Sequence, residues 1–201
     1  MPKLLTEADV ADFRARLCEA AERLFVEKGP DAVSMRQLAA ELGVSPMTPY
    51  RYFKDKEEIF AAVRTVAYDR FAETLEKAQA VEGDARAKGA AMREAYLQFA
   101  FDHPQTYKLI FDLHQPDAAC YPDLQRAAER SHGTMSAYVP GLIELGVVQG
   151  DDPEHIGTMF WAATHGVVTL YLAGRLGSQE EARALARATN SALARGLRRR
   201  A

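Results

Sequence analysis

Residues 45 to 56 concentrate groups that can hold a polyanion. Ser45 and Thr48 carry hydroxyls, Tyr50 and Tyr52 carry phenols, and Arg51, Lys54 and Lys56 carry positive charge. Hydroxyls and phenols donate to phosphate oxygens or base edges, and the cations neutralise backbone charge, the source of most nucleic-acid affinity. A single tyrosine or a short charge run is more often core or solvated surface. Here the groups crowd together directly behind a turn signal, Leu42-Gly43-Val44, and nucleic-acid contact is the better reading.

A second set could line a small-molecule cavity. Tyr96, Phe99, Tyr107, Phe111, Met135, Tyr138, Trp161 and His165 put aromatic surface and a few polar tips at helical spacing, as ligand pockets between helices do. The same spacing also builds plain core. Catalytic chemistry has little support. Glu129-Arg-Ser-His132 has the carboxylate–histidine spacing of a di-metal bundle, but such a site needs a second copy and two more carboxylates, and no second copy occurs. No Gly-rich phosphate loop, nucleophile elbow or zinc-helix motif is found. No catalytic residue, metal or cofactor is therefore expected. A helical-bundle enzyme, or a protein-binding scaffold without DNA binding, is the alternative.

These groups must be positioned by helices, because apolar residues recur at helical spacing and strand-like alternation is nearly absent. Val10, Phe13, Leu17, Ala21, Leu24 and Phe25 form one stripe, closed by Gly29-Pro30. Ser34 caps a short helix to Leu42, Ser45 opens another to about Phe53, and Asp55 with Glu58 starts a long one over about 56–80. A turn at 81–84 is the first plausible boundary. Helices then follow over about 84–102, 104–114, 123–145 (kinked at Pro140-Gly141), 154–174 and 178–197, with a loop at 115–122. The spacing thus predicts an all-α fold of about nine helices.

Leu38, Ala39, Leu42, Gly43 and Val44 have the roles of a helix-turn-helix: inward apolar faces, a close helix approach, a positive-φ turn and its plug. The following helix would lie in a major groove with its first residues at the base edges. Pro49 leaves two starts open. Either Ser45 caps and Pro46 is the first helical residue, or Thr48 caps and Pro49 takes that position.

Composition sets the bounds. The chain has 201 residues, 48% of them apolar and 26% charged, with 25 basic against 28 acidic side chains and a net charge of −3. A soluble globular protein with an ample core fits these values. The net charge counts mildly against DNA binding, so any grip must come from a local patch. Cys18 and Cys120 match no metal spacing and read as reduced thiols, and neither a signal peptide nor a bilayer-spanning apolar run is visible, so a cytoplasmic location is expected.

Residues 9 to 65, through AAERLFVEKGPDAVSMRQLAAELGVS and TPYRYFKDKEEIFAAV, resemble the N-terminal region of the tetracycline-repressor-like (TetR) family of regulators. The resemblance implies a three-helix DNA-binding domain over 9–70, a C-terminal ligand-binding and dimerisation domain over 84–201, and double-stranded operator DNA as partner. It implies that Tyr50 and Lys56 hold phosphates and that Arg36, Ser45, Met47, Thr48 and Tyr52 face DNA. Pro49 departs from the family, which more often has an aliphatic residue there. Repression relieved by an unidentified small-molecule effector is the commoner role implied. Trp161-Ala-Ala-Thr-His165-Gly166 further resembles the Trp…His-Gly signature of one C-terminal subgroup. On its own sequence, the 154–174 helix is apolar over much of its circumference and the 178–197 helix has a matching stripe. The pair is expected to form a four-helix homodimer interface.

Overall fold

Helix starts follow the capping side chains. In the computed structural model, which describes residues 6–111 and 118–198, α1 spans Glu7–Lys28 behind a Thr6–Asp9 capping box, and α2 spans Met35–Glu41 behind a Ser34–Gln37 box. Asp55 accepts the Glu58 amide at 2.9 Å to open α3, Lys56–Gln79. The Glu58 carboxylate closes on the Lys54 amide (2.6 Å) rather than on that of Asp55, so the expected box is only half formed. Asp84 caps α4, Ala85–Asp102, and α5 runs over Pro104–Phe111. Next come α6, Pro122–Ser136, and α7, Val139–Glu144. Asp152 caps α8, Pro153–Leu172, and Ser178 caps α9, Gln179–Gly196. Each such cap contributes about 1 kcal/mol by satisfying an otherwise orphaned amide. Among the described residues there is no strand.

Two expected elements change. The 123–145 helix is two helices, broken at 137–138 rather than kinked at Pro140-Gly141. Pro140 has no N–H for the Ser136 carbonyl and its ring would strike that oxygen, so the first helix must stop at Ser136. The 45–53 helix is not α-helical, and only a 3-10 turn at Pro49–Arg51 is wound there. The expected end of the 104–114 helix at His114, and most of the 115–122 loop, lie outside the described residues.

The helices sort into two units, one of Met1–Tyr68 with Lys108–Ala127, the other of Asp69–Tyr107 with Ala128–Ala201. The division falls inside α3, α5 and α6, whereas the sequence reading placed a boundary at the 81–84 turn. In the first unit Leu17, Leu24 and Phe25 of α1, Leu38 of α2, Phe53, and Ile59, Phe60 and Val63 of α3 close one core with Leu109. Arg64, 1% exposed, lies inside this unit. It donates from Nε to the Leu109 carbonyl (2.9 Å) and from Nη2 to that of Ile110 (2.8 Å), so its charge sits at the negative end of α5. In the second unit α8 and α9 pack on each other through a buried contact, Asn190 Nδ2 donating to Thr164 Oγ1 at 3.1 Å. No helix among the described residues is long and apolar enough to cross a membrane.

Candidate functional site

The turn after α2 is built by its own backbone. Gly43, at φ +65°, takes the left-handed conformation that only glycine adopts without strain. The Gly43 amide then reaches the Ala40 carbonyl (3.0 Å) and the Val44 amide that of Ala39 (3.0 Å), a Schellman closure of α2. Ala39 is fully buried, as the close approach of the next segment demands.

The segment that follows is wound with i to i+3 bonds. Thr48 donates its amide to Ser45 (2.9 Å), Arg51 to Thr48 (3.1 Å) and Tyr52 to Pro49 (3.0 Å). Neither of the two starts occurs in full. Ser45 Oγ does accept an amide, that of Met47 at 3.3 Å, while Pro49 takes the first position of the 3-10 turn and Thr48, in a helical conformation, makes no side-chain cap. The Pro49 ring is buried and fills the inward position.

This winding presents the expected residues unequally. Met47 is 68% and Tyr50 49% exposed, and Arg36, Ser45 and Arg51 are also on the surface, with Thr48 half-buried. Among the described residues no ion pair or hydrogen bond engages the side chains of Arg36, Arg51 or Lys54. Segment 34–56 holds four basic residues against two acids, Glu41 and Asp55. Glu41 is paired with Arg23 at 3.3 Å and Asp55 is used as a cap, so the local field is positive on an acidic chain. Tyr52 and Lys56 are turned inward. Tyr52 stacks on Phe13 with centroids 4.2 Å apart, and Lys56 Nζ donates to the Pro30 carbonyl at 2.7 Å and the Asp31 carbonyl at 3.5 Å.

Sequence reading missed Arg14. Its guanidinium lies 3.8 Å over the Phe53 ring, donates to the Tyr52 carbonyl and pairs with Glu58 at 3.4 Å. It thereby pins the end of the exposed segment to α1. No spacing singled it out from the other basic residues of that helix.

In the second unit the structure brings four of the expected pocket residues into one hydrogen-bonded group. Trp161 Nε1 donates to Tyr96 Oη (3.0 Å), the Tyr96 and Tyr107 hydroxyls are 2.8 Å apart, and Tyr107 Oη lies 2.6 Å and Tyr96 Oη 3.0 Å from His165 Nδ1. Burial holds the His165 pKa below the usual histidine value and drives that of Tyr107 well above the usual phenol value, with Tyr96 adding to the rise. His165 is then uncharged and Tyr107 protonated at pH 7. A chain running Trp161 N–H to Tyr96, Tyr96 to Tyr107 and Tyr107 to His165 Nδ1 satisfies them together. Met135 and Tyr138 line a cavity of about 20 Å³ with Tyr96 and Trp161, room for one water. Phe99 packs on Phe71 at 4.9 Å instead, and Phe111 lies in the first unit against Tyr68 at 6.4 Å. His132 of the Glu129–His132 pair faces Glu154 (3.6 Å) and Trp161, and no group of three potential ligands among the described residues is placed to hold a metal.

Known proteins share both parts of this arrangement. Residues 17–63 match the family described as bacterial regulatory proteins, tetR family, and residues 89–193 match the tetracyclin repressor-like, C-terminal domain. The chain is 32% identical over 99 residues to the HTH-type transcriptional activator FasR of Mycolicibacterium smegmatis, across 49% of this chain and 45% of that protein. It is 33% identical over 105 residues to an HTH-type transcriptional regulator of Staphylococcus aureus, across 51% and 55%. The chain thus spans about half the length of the curated relatives it matches. A protein of unknown function from Rhodococcus sp. RHA1 superposes with a TM-score of 0.78 at 30% identity, covering 92% of this chain and 95% of that one. A TetR-family transcriptional regulator from Pectobacterium atrosepticum does so at 0.66 and 25% identity, covering 97% and 98%. With a Schellman-closed helix-turn-helix in one unit and a matching C-terminal helical domain over more than half of its length, the chain belongs to the TetR family of DNA-binding transcriptional regulators.

Proposed function

We propose that the protein works in the cytoplasm as a homodimer that binds a pseudo-palindromic operator and represses the adjacent gene until a small molecule releases it. The observation that carries the DNA contact is the set of unpartnered groups around the α2 turn: Arg36, Arg51 and Lys54, with the exposed Tyr50 and Met47 between them. In this reading Arg51 and the Tyr50 hydroxyl take phosphates, Ser45, Met47 and Thr48 meet base edges, and Arg36 reaches from α2. Lys56 and Tyr52 act from behind, Lys56 tying the segment to the Pro30 carbonyl. The DNA-binding part is assigned to 9–70 and the regulatory part to 84–201.

The dimer is assigned to α8 and α9, the counterparts of the 154–174 and 178–197 stretches. Ala162, Gly166, Thr169, Leu170 and Ala173 leave one face of α8 exposed, with Leu170 at 44%. The Tyr96, Tyr107, Trp161 and His165 group, with Met135 and Tyr138, is the effector-responsive region. An effector can release DNA only through differential affinity for the two states.

Selection of bound duplexes from a random pool tests the reading. Two half-sites about one DNA turn apart, roughly 34–36 Å, are expected. An activator would select the same kind of site, so repression is tested separately by a reporter driven from the recovered operator. No enrichment, or binding insensitive to salt, would favour a protein-binding scaffold instead.

A further inference from the structure

Beside the 20 Å³ cavity lies a groove of about 140 Å³ between α4, α7 and α9. Arg93, Tyr138, Phe160 and Asn190 line both spaces, so they form the wall between them. No carboxylate is among the residues lining either.

We infer that this groove binds a small monocarboxylate with an apolar body, its acid held by Arg93. Arg93 is half-buried, and among the described residues no ion pair or hydrogen bond engages its guanidinium. The nearby Glu94 is already paired with Arg183 at 2.7 Å. Burial lowers the Arg93 pKa from the usual guanidinium value, with Tyr138 and Glu94 opposing the fall and the Arg187 charge adding to it. A desolvated cation whose nearby carboxylate is already engaged by another arginine is costly, and a planar carboxylate is the anion its two-pronged donor face fits. Arg86 and Ser191, which line the groove only, add a second cation and a hydroxyl donor.

The rest of the groove suits an apolar body. Its floor is Leu142, Val147 and Phe160, and its volume is close to that which accepts a benzene ring. Gly89 makes the space. A Cβ there would meet the Tyr138 ring at 2.8 Å, so a glycine in the middle of α4 lets that ring lie against the helix backbone instead of filling the groove.

The test uses the full chain, with benzoate and hexanoate as probes and benzamide and inorganic phosphate as controls. Binding is read by calorimetry and by melting temperature. Either carboxylate should bind and raise the melting temperature, while benzamide and phosphate should not. Arg93→Met should weaken carboxylate binding at least about tenfold, the loss of one bidentate charge-assisted contact, yet melt at or above the wild-type temperature without ligand. Arg93→Lys should bind with intermediate strength, and it decides the matter if the methionine variant does not fold. Gly89→Ala should also weaken binding, by pushing Tyr138 into the groove with no change of charge. No binding of either carboxylate at millimolar concentration, equal binding of benzamide or phosphate, or wild-type affinity in Arg93→Met would each overturn the assignment. The groove's role as effector site rests on the release reading above, and operator retention separates the two. Benzoate bound with operator still held sinks release alone, whereas operator binding with no carboxylate binding sinks the groove.

Discussion

Replacing Arg64 with methionine keeps most of the side-chain volume and removes a charge buried, at 1% exposure, within the first unit. Two carbonyls at the end of α5 are affected, and unequally. Leu109 O loses the Arg64 Nε donor at 2.9 Å, whereas Ile110 O, which accepts from Nη2 at 2.8 Å, also accepts from the Tyr68 hydroxyl at 3.2 Å. A buried carbonyl stripped of its donor costs about 1–3 kcal/mol, and a lost charge-assisted bond about as much, so the variant should lose about 3 kcal/mol. For a chain of this size that is roughly 6–12 °C of melting temperature. Tyr68→Phe alone should cost under about 1 kcal/mol, because Arg64 still serves Ile110. Combined with Arg64→Met it should cost more than the sum, since neither side chain can then cover for the other at the Ile110 carbonyl. Urea denaturation of the four proteins closes the cycle. Strict additivity, or a methionine variant as stable as wild type, would refute the view that shared carbonyls fix Arg64 in the core.

Other perturbations give equally definite expectations. Lys54→Ala should leave stability unchanged and lower the salt slope of operator binding by about 0.9 per protomer, while Lys56→Ala should chiefly lower the melting point, because its Nζ holds the Pro30 carbonyl; gel-shift titrations over salt with parallel melts check both. Gly157→Ala should destabilise by about 1–2 kcal/mol despite better helix propensity, since its Cβ would fall 2.2 Å from Ser136 Oγ and 3.0 Å from the Ser136 Cα; a stabilised variant in calorimetry would contradict the packing of α6 on α8. Burial depresses the native pKa of His165 below its unfolded value, so the unfolded chain takes up the proton first, and His165 costs stability as pH falls from about 6.5 towards the lower native value. His165→Gln should show a shallower loss of melting temperature over that window, and parallel curves would remove the assignment.

The elements were legible where chemistry acts locally. Ser34 and Asp55 announced their helices because a short polar side chain satisfies amides a few residues on, and Gly43 announced its turn because the required φ is open to few other residues. Partners brought together over long separations were not legible. Arg14 with Tyr52, Arg93 with the groove, and the meeting of Trp161, Tyr96, Tyr107 and His165 depend on which helix faces which, and periodicity gives only the facing side. The same reason split the aromatic set. Phe99 and Phe111 share the helical spacing of Tyr96 and Tyr107 but face Phe71 and Tyr68.

Pro49 shows how one missing donor reaches the side chains proposed to face DNA. An α-helix over 45–53 would need the residue 49 amide for the Ser45 carbonyl, and proline has none, so Thr48 supplies the bond at 2.9 Å and the segment tightens. The 3-10 turn begins only at Pro49, so Met47 lies in the bend before it and Tyr50 inside it, unlike the continuous 3.6-residue winding of an α-helix. Both are exposed, at 68% and 49%, and are among the side chains proposed above to meet the operator. Pro49→Leu keeps an apolar group in the buried position and returns the amide, and should let the segment wind as an α-helix. Phosphate contacts from Arg51 and Lys54 tolerate such a rotation better than base-edge contacts do, because long flexible cations reach backbone oxygens from several angles. The expected result is therefore an altered sequence preference with a nearly unchanged salt slope. If selection from the same random pool returns the wild-type motif for Pro49→Leu, the proline does not set the reading geometry and its buried ring is there for packing alone.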